Sequence, residues 1–523
     1  MLLLEGHHIK IEIQGNLLLD IDRLTIHQHD RIGLIGKNGA GKSTLLHVLA
    51  HKQLPSKGYI NCHVTSLLLP QLKQKNKEQS GGELTQSYIQ QALQKAPALL
   101  FADEPTTHLD KEHIVWLEQE FKRWSGAFVI VSHDRAFLDQ VCTTIWEIED
   151  YHLHVYKGNY SSYIEQKERK SSFLHHEYEN YIREKKKLET AIQAKEKRAA
   201  RATKKPKNVH RSEAKITGAK PYFAKKQKKL QQTAKALETR LEKLDKVEKP
   251  RENTEIKMDI ANHEDFYGRT IIRVEQLEGK INQRILWNKE SFFIKGGDKV
   301  AIIGNNGSGK TTLLNTLLSR NKAVSISPAV IVGYLSQHLT LLKAEDRILD
   351  TVKETSKQNV TLIRTVLARL HFIGDDVHKK IDVLSGGERV KVALAKLFVS
   401  DSNTLILDEP TTFLDIEAVK ALESLLQEYI GTVLFVSHDR HFVNNIATKM
   451  IEIKNNQLHV FDGTYEEYQA HIITPPRNHH ANRKLMIETR LTEVLSLLSM
   501  KPTEQLEQEF QQLLTEKKRL MEE

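Results

Sequence analysis

Short runs of apolar and β-branched residues, each cut off by a glycine-rich or acidic turn, recur along the chain. DRIGLIG at 30–36 and DKVAIIG at 298–304 predict strands that end in a glycine turn, and STLLHVLA at 43–50 and TTLLNTLL at 311–318 predict the helices that follow. ALLFADEP at 98–105, NTLILDEP at 403–410, FVIVSHD at 128–134 and VLFVSHD at 433–439 are continuously apolar until their final polar residues. That is the pattern of parallel strands covered on both faces. A different period governs the middle of the chain. Leu230, Ala234, Leu237, Leu241 and Leu244 step by four and three, the seam of a coiled coil, and Tyr178, Ile182, Leu188 and Ile192 supply a facing stripe. A helical hairpin is predicted there. The leucines of RLTEVLSLLS at 490–499 and EQLEQEFQQLLTEKKRL at 504–520 predict a second one at the C-terminal end.

The pattern repeats. GKNGAGKST at 36–44 returns as GNNGSGKTT at 304–312, and SGGE, DEP and SHDR at 80, 103 and 132 return at 385, 408 and 437. The first offset is 268 and the later ones 305, so the second copy holds about 37 to 39 more residues between its early and late motifs. The first copy therefore lacks a subdomain that the second has. HVYKGNYSSY at 154–163 matches HVFDGTYEEY at 459–468, so both copies end alike. An α/β domain over 1–165 and another over 266–472 follow, with a helical linker over 166–265, its tip about 201–224, and a helical extension over 473–523. With 523 residues, one core would not suffice in any case.

Composition narrows the setting. No apolar run reaches the ~18 to 20 residues of a membrane span, and MLLLEGHHIK is no secretory leader, so a cytoplasmic location is expected. Two distant cysteines, Cys62 and Cys142, supply neither a disulfide framework nor a zinc or iron–sulfur site. The net charge of +10 is local: residues 161–240 hold 23 Lys and Arg against 9 Asp and Glu. Such a density suits an arm that binds a polyanion.

The repeated motifs carry phosphate chemistry. In a strand–loop–helix setting, Gly36, Asn38, Gly39 and Gly41, and likewise Gly304, Asn306, Gly307 and Gly309, let successive N–H groups face the phosphates at a helix N-terminus. Lys42 and Lys310 add charge on the β- and γ-phosphates, and the hydroxyls of Ser43 and Thr311, followed by Thr44 and Thr312, can ligate Mg²⁺. Asp103 and Asp408 would complete the metal shell, Glu104 and Glu409 would polarise the attacking water, and His133 and His438 would reach the γ-phosphate. A single such loop is weak evidence; two in register with four further matched motifs are not.

Phosphate loop, glutamine, SGGE, DEP and SHD in one domain resemble the ATP-binding cassette ATPases. Two such cassettes with a long charged linker resemble the ABC-F family over nearly the whole chain. The resemblance implies two tandem ATP-binding cassette (P-loop) domains joined by a long antiparallel α-helical coiled-coil linker, with a helical C-terminal extension. It implies head-to-tail cassettes in a monomer, with ATP and Mg²⁺ as cofactors and ATP hydrolysis as the activity. Lys42, Ser43, Gln71, Asp103, Glu104 and His133 would work with Ser385, Gly386 and Gly387 opposite, and Lys310, Thr311, Gln337, Asp408, Glu409 and His438 with Ser80, Gly81 and Gly82. Gln71 and Gln337 would join the metal shell. Three departures stand out: QSGGE for LSGGE in the first copy, TTHLD and TTFLD for TNHLD, and no aromatic ring upstream of either phosphate loop in IKIEIQGN or LEGKINQR to stack adenine.

The stiff basic hairpin suits structured RNA, whose phosphates and A-form shape lysine and arginine read without base edges. The family resemblance implies the bacterial 70S ribosome as partner, with 23S rRNA and tRNA at the exit and peptidyl sites. The long tip KPKNVHRSEAKITGAKPYF, the short first cassette and the C-terminal extension resemble the antibiotic-resistance branch typified by Vga-type proteins. That implies displacement of lincosamides, streptogramin A or pleuromutilins. The rival expectations are a translation factor for stalled ribosomes and the ATPase subunit of a drug exporter.

Overall fold

The computed structural model describes residues 1–71, 81–107, 109–202, 219–247, 267–281, 284–319, 322–335 and 342–473, with scattered residues between 490 and 517. In the first cassette, β1 (Leu2–Ile13), β2 (Asn16–His27), β3 (Arg31–Gly36) and α1 (Lys42–Leu49) lead into β4 (Lys57–Cys62), β5 (Ser66–Leu69), α2 (Gly81–Gln94) and β6 (Leu99–Asp103). Then come α3 (Lys111–Arg123), β7 (Ala127–Val131), α4 (Arg135–Val141), β8 (Thr144–Glu149) and β9 (His152–Lys157). The core sheet has the order β5-β6-β7-β3-β8-β9, parallel except for its last pair, and β2-β1-β4 form a smaller antiparallel sheet. Every residue of β6 and β7 is buried, which is why their sequences show no alternation. Parallel order puts the carboxyl ends of β3, β6 and β7 side by side, where the glycine turn, the DEP acids and the SHD histidine emerge.

Two helices of the linker follow, α5 (Tyr160–Ala202) and α6 (Ala219–Glu242). They lie side by side: Arg240 pairs with Glu184 at 3.1 Å, and Leu188, Ile192, Ala199 and Ala234 are buried between them. Ile182 stays 40% exposed because α6 ends near its level. At 1.5 Å per residue the 43 residues of α5 span roughly 65 Å. That is longer than the hydrophobic seam alone suggests, since the helix begins inside the first copy's closing segment and passes position 165 without a break. Pro221 is the third residue of α6, and the turn itself lies outside the described residues.

The second cassette repeats the plan with β10 (Thr270–Ile281), β11 (Arg284–Lys295), β12 (Lys299–Gly304), α7 (Lys310–Leu318), β13 (Val324–Ile326) and β14 (Val332–Leu335). There the extra residues fold as α8 (Ile348–Lys353), α9 (Val360–Arg369) and two short 3₁₀ turns ahead of α10 (Gly386–Phe398). Ile348, Val352, Ile363, Val366 and Leu367 join them to the core. β15 (Thr404–Asp408), α11 (Ile416–Glu428), β16 (Thr432–Val436), α12 (Arg440–Ile446), β17 (Lys449–Lys454), β18 (Gln457–Asp462) and α13 (Tyr465–Ile473) complete it. Its sheet order, β14-β15-β16-β12-β17-β18, copies the first. No helix among the described residues is long and apolar enough to cross a membrane. The C-terminal hairpin falls almost wholly outside the described residues.

Candidate active site between the cassettes

Each phosphate loop ends in a glycine that sequence alone marks and geometry explains. Gly41 and Gly309 cap α1 and α7 at φ 93° and 103°, and a Cβ there would stand 2.9 Å from Leu18 and 2.8 Å from Leu286. Any other residue would be strained and would clash. The loop amides and the helix dipole thus face one anion-binding cradle. Lys42 Nζ donates to the carbonyls of Gly36 (2.7 Å) and Lys37 (3.0 Å), and Lys310 Nζ to those of Gly304 (3.0 Å) and Asn305 (3.1 Å). Burial pushes both ammonium groups below the ordinary lysine range, against the opposing pull of Glu104 and Glu409. Each would regain charge stabilisation from a phosphate.

Asp103 and Asp408 end their strands beside those loops. Burial raises both carboxyl groups, while hydrogen bonds from Ser43 and from Thr311 (3.4 Å to Asp408) act the other way. A buried carboxylate beside an alcohol is a hard-oxygen donor set, so these two pairs fit Mg²⁺. Gln71 is exposed just beyond β5, while Gln337 and Ser80 lie outside the described residues.

Glu104 and Glu409 are the most perturbed acids. Both adopt the left-handed backbone region, φ 51° and 52°, which their amides hold by bonding Val131 O (2.9 Å) and Val436 O (3.0 Å). Burial, reinforced by Asp103 and Asp408, pushes them up to about 8, with Lys42 and Lys310 opposing. His133 Nε2 stands 3.4 Å from Glu104 Oε1 and His438 Nε2 3.3 Å from Glu409 Oε1. Burial first, then the facing lysine, lowers these histidines to about 3 and about 4. At neutral pH each pair is then a protonated acid beside a neutral imidazole. For the glutamates the folded state holds a proton that the unfolded chain releases, so their contribution is lost as pH rises from about 4.5 to about 8. The histidines act oppositely, below 6.5. Glu104→Gln with Glu409→Gln should therefore gain Tm relative to the parent between pH 6.5 and 8.5, without nucleotide. A Tm difference that stays flat across that range in a scanning-fluorimetry series contradicts the assignment.

Neither cradle is closed by its own cassette. Gly387 of the second signature lies so close to the first phosphate loop that a Cβ would meet Asn38 Nδ2 at 3.1 Å. Asn38 Nδ2 donates to Phe413 O (2.8 Å), and its amide to Asp415 Oδ2 (3.1 Å). Across the pseudo-twofold, the amide of Asn306 donates to Asp110 Oδ2 (3.3 Å) and Asn305 Nδ2 to Glu112 (3.0 Å). Ser385 caps α10 through a capping box with Glu388, and Gly386 opens that helix as Gly81 and Gly82 open α2. Four further interface groups escaped the motif reading. Arg135 forks onto Glu423 of the other cassette, both buried, and Arg440 Nη1 reaches Glu118 Oε1 at 3.3 Å. The signal was present, since each arginine closes a copy of SHDR. Leu18 packs under the first loop, and Leu286 under the second together with the ring of Trp287, which is fully buried in the core.

Known proteins share the sequence and the fold. The ABC transporter family profile matches residues 19–79 and 287–412. Over 97% of this chain and 96% of its own length, the ribosome protection protein VmlR of Bacillus subtilis (strain 168) is 33% identical. The erythromycin resistance ATP-binding protein MsrA of Staphylococcus epidermidis is 33% identical over 84% of this chain and 95% of its own length. Among solved structures, the archaeal ribosome recycling factor aABCE1, in complex with ribosomal stalk protein aP1, superposes with a TM-score of 0.60 over 89% of this chain and 92% of that one. At 18% identity that likeness speaks for the fold.

Proposed function

The chain belongs to the ABC-F family of tandem-cassette ATPases, and from that premise we propose that it is a ribosome-protection protein. With Mg²⁺-ATP bound, the cassettes close and the basic arm enters the tRNA exit site of the bacterial 70S ribosome, against 23S rRNA and the peptidyl-site tRNA. Its tip reshapes the drug-binding region so that a lincosamide, streptogramin A or pleuromutilin leaves, and hydrolysis releases the protein. In this reading Ser43, Asp103, Thr311 and Asp408 would hold the metal, which would offset phosphate charge; Lys42 and Lys310 orient the phosphates, and Glu104 and Glu409, once they have given up the proton they hold without nucleotide, take the proton of the attacking water.

The observation that carries this reading is the seat of the arm. α5 grows out of the first cassette yet rests on the second: Lys167 Nζ bonds Glu147, stands 3.7 Å from Glu149 Oε1 and 3.7 Å from Glu417 Oε1 of α11, and Lys420 Nζ lies 5.9 Å from the ring centroid of Tyr160. Glu417 Oε2 in turn lies 3.5 Å from Lys37 in the first phosphate loop. A change in cassette closure therefore moves the base of the arm. Likeness along nearly the full length to a ribosome protection protein and to an erythromycin resistance protein supports the ribosome as the target.

Co-sedimentation with 70S ribosomes at several salt concentrations tests it. Binding should require ATP, and replacing the exposed Lys197, Arg198, Lys225 and Lys228 with glutamine should flatten the plot of log affinity against log salt by roughly 0.7 to 0.9 for each phosphate that is no longer neutralised. An unchanged slope removes RNA from the account, and resistance that disappears together with a fall in drug efflux favours the exporter reading.

A further inference from the structure

The two composite sites are closed by equivalent aspartates, Asp415 and Asp110, held in two different ways. Asp415, 2% exposed, accepts from Ala418 N (2.8 Å) and from Asn38 N of the opposite phosphate loop (3.1 Å), and Lys391 Nζ lies 3.4 Å from the same oxygen that Asn38 uses. Lys391 sits on α10, six residues after Ser385, and is itself 7% exposed. Its counterpart six residues after Ser80 is Gln86. Asp110, 5% exposed, accepts from Asn306 N of the other phosphate loop (3.3 Å), but its second oxygen is held by His113, through the amide at 3.1 Å and Nδ1 at 2.6 Å. The counterpart of His113 is Ala418. One loop is thus held by a buried ammonium from the signature helix, the other by an imidazole on its own helix.

We propose that Lys391 and His113 are positioning residues, each acting through its aspartate on the phosphate loop of the opposite cassette, so that the two ATP sites are set by unlike contacts. Lys391 serves the site built on Lys42, and His113 the site built on Lys310. The charge of Lys391 is also felt at Lys42, whose ammonium it disfavours. Without Lys391, Asp415 keeps a buried negative charge with only amide donors, and its grip on Asn38 slackens. A hydrogen bond to a charged group contributes enough to change affinity roughly ten- to hundredfold. The second site has no signature-helix cation to lose, because Gln86 stands there.

This inference rests on the sandwich arrangement of the sites and is independent of the ribosome. The test uses the full chain with both glutamates changed to glutamine, so that nucleotide stays intact, and photolabels it with 8-azido-ATP before separating the cassettes by cleavage in the arm. Lys391→Gln should raise the half-saturating concentration for labelling of the first cassette roughly ten- to hundredfold and leave the second within about twofold. His113→Ala should shift the second alone, and Lys391→Arg should restore the first. Equal shifts in both cassettes, or none, overturn the proposal. Ser385→Arg is the control for the arrangement itself: if it leaves first-cassette labelling intact, the sandwich reading fails. If it abolishes labelling while Lys391→Gln has no effect, only the positioning role falls.

Discussion

Changing Glu104 and Glu409 together to glutamine is expected to slow ATP hydrolysis by roughly 10²- to 10⁴-fold while leaving ATP binding intact, and to accumulate the ATP-bound protein on ribosomes. Both side chains sit where the carboxyl ends of parallel strands deliver them, behind Lys42 or Lys310 and next to an imidazole about 3.4 Å away or less. With their acidity suppressed to about 8, both carboxyl groups hold a proton in the protein without nucleotide and must release it before either can act as a base, so the amide reproduces the shape and charge of that resting form but can never become the carboxylate. Glutamine is preferable to alanine, because a strained backbone at φ 51° and 52° is held partly by what surrounds the side chain. Phosphate release measured on the purified double variant, with sedimentation of its ribosome complexes, decides the matter. Release within about threefold of the parent would assign the base elsewhere, and prompt dissociation from ribosomes would sever hydrolysis from release.

What the sequence made legible is whatever depends on neighbours along the chain. Continuous apolar runs at 99–103 and 404–408 declare buried parallel strands, and a glycine-rich turn between such a strand and a leucine-rich helix declares a phosphate loop, because both patterns are set locally by burial and backbone sterics. The offset between early and late motifs also located the subdomain that folds as α8 and α9 in the second cassette alone. The family resemblance supplied the head-to-tail pairing, but the individual side-chain contacts across it were not legible. Arg135 closes a repeated SHDR, yet nothing near Glu423, 288 residues away, marks it as the partner; only docking joins them. The same holds for Asp415 and Asn38, 377 residues apart, so the loops after the glutamates read as sequence departures when their work is to hold the opposite phosphate loop. The arm shows the limit from the other side. Its heptad seam marks where α5 and α6 touch, but among the described residues α6 ends before the first part of α5, which lies against the first cassette instead, so the seam understates the length of α5.

The second large effect should come from that docking contact. Arg135 is 4% exposed and forks onto Glu423, 7% exposed, with Asp439 3.5 Å from the same guanidinium nitrogen and Asn445 Nδ2 3.3 Å from Glu423. Asp134, next in chain, is pushed up to about 6 by burial and by Asp439, a sign that negative charge is already crowded here. Arg135→Ala leaves Glu423 and Asp439 in a dry interface without their cation, an arrangement that costs on the order of 3 to 5 kcal/mol. Part of that cost is escaped by separating the cassettes, so the loss should appear as weakened ATP-dependent closure as well as a lower Tm. Glu423→Ala alone strands the arginine and should be nearly as damaging. Arg135→Met with Glu423→Leu removes the buried pair and fills the space but leaves Asp439 in place, and should recover part of the stability. A double-mutant cycle in denaturant unfolding measures the coupling. Additive losses from the two single changes would mean that the ion pair contributes no coupling, and that other contacts hold the halves together.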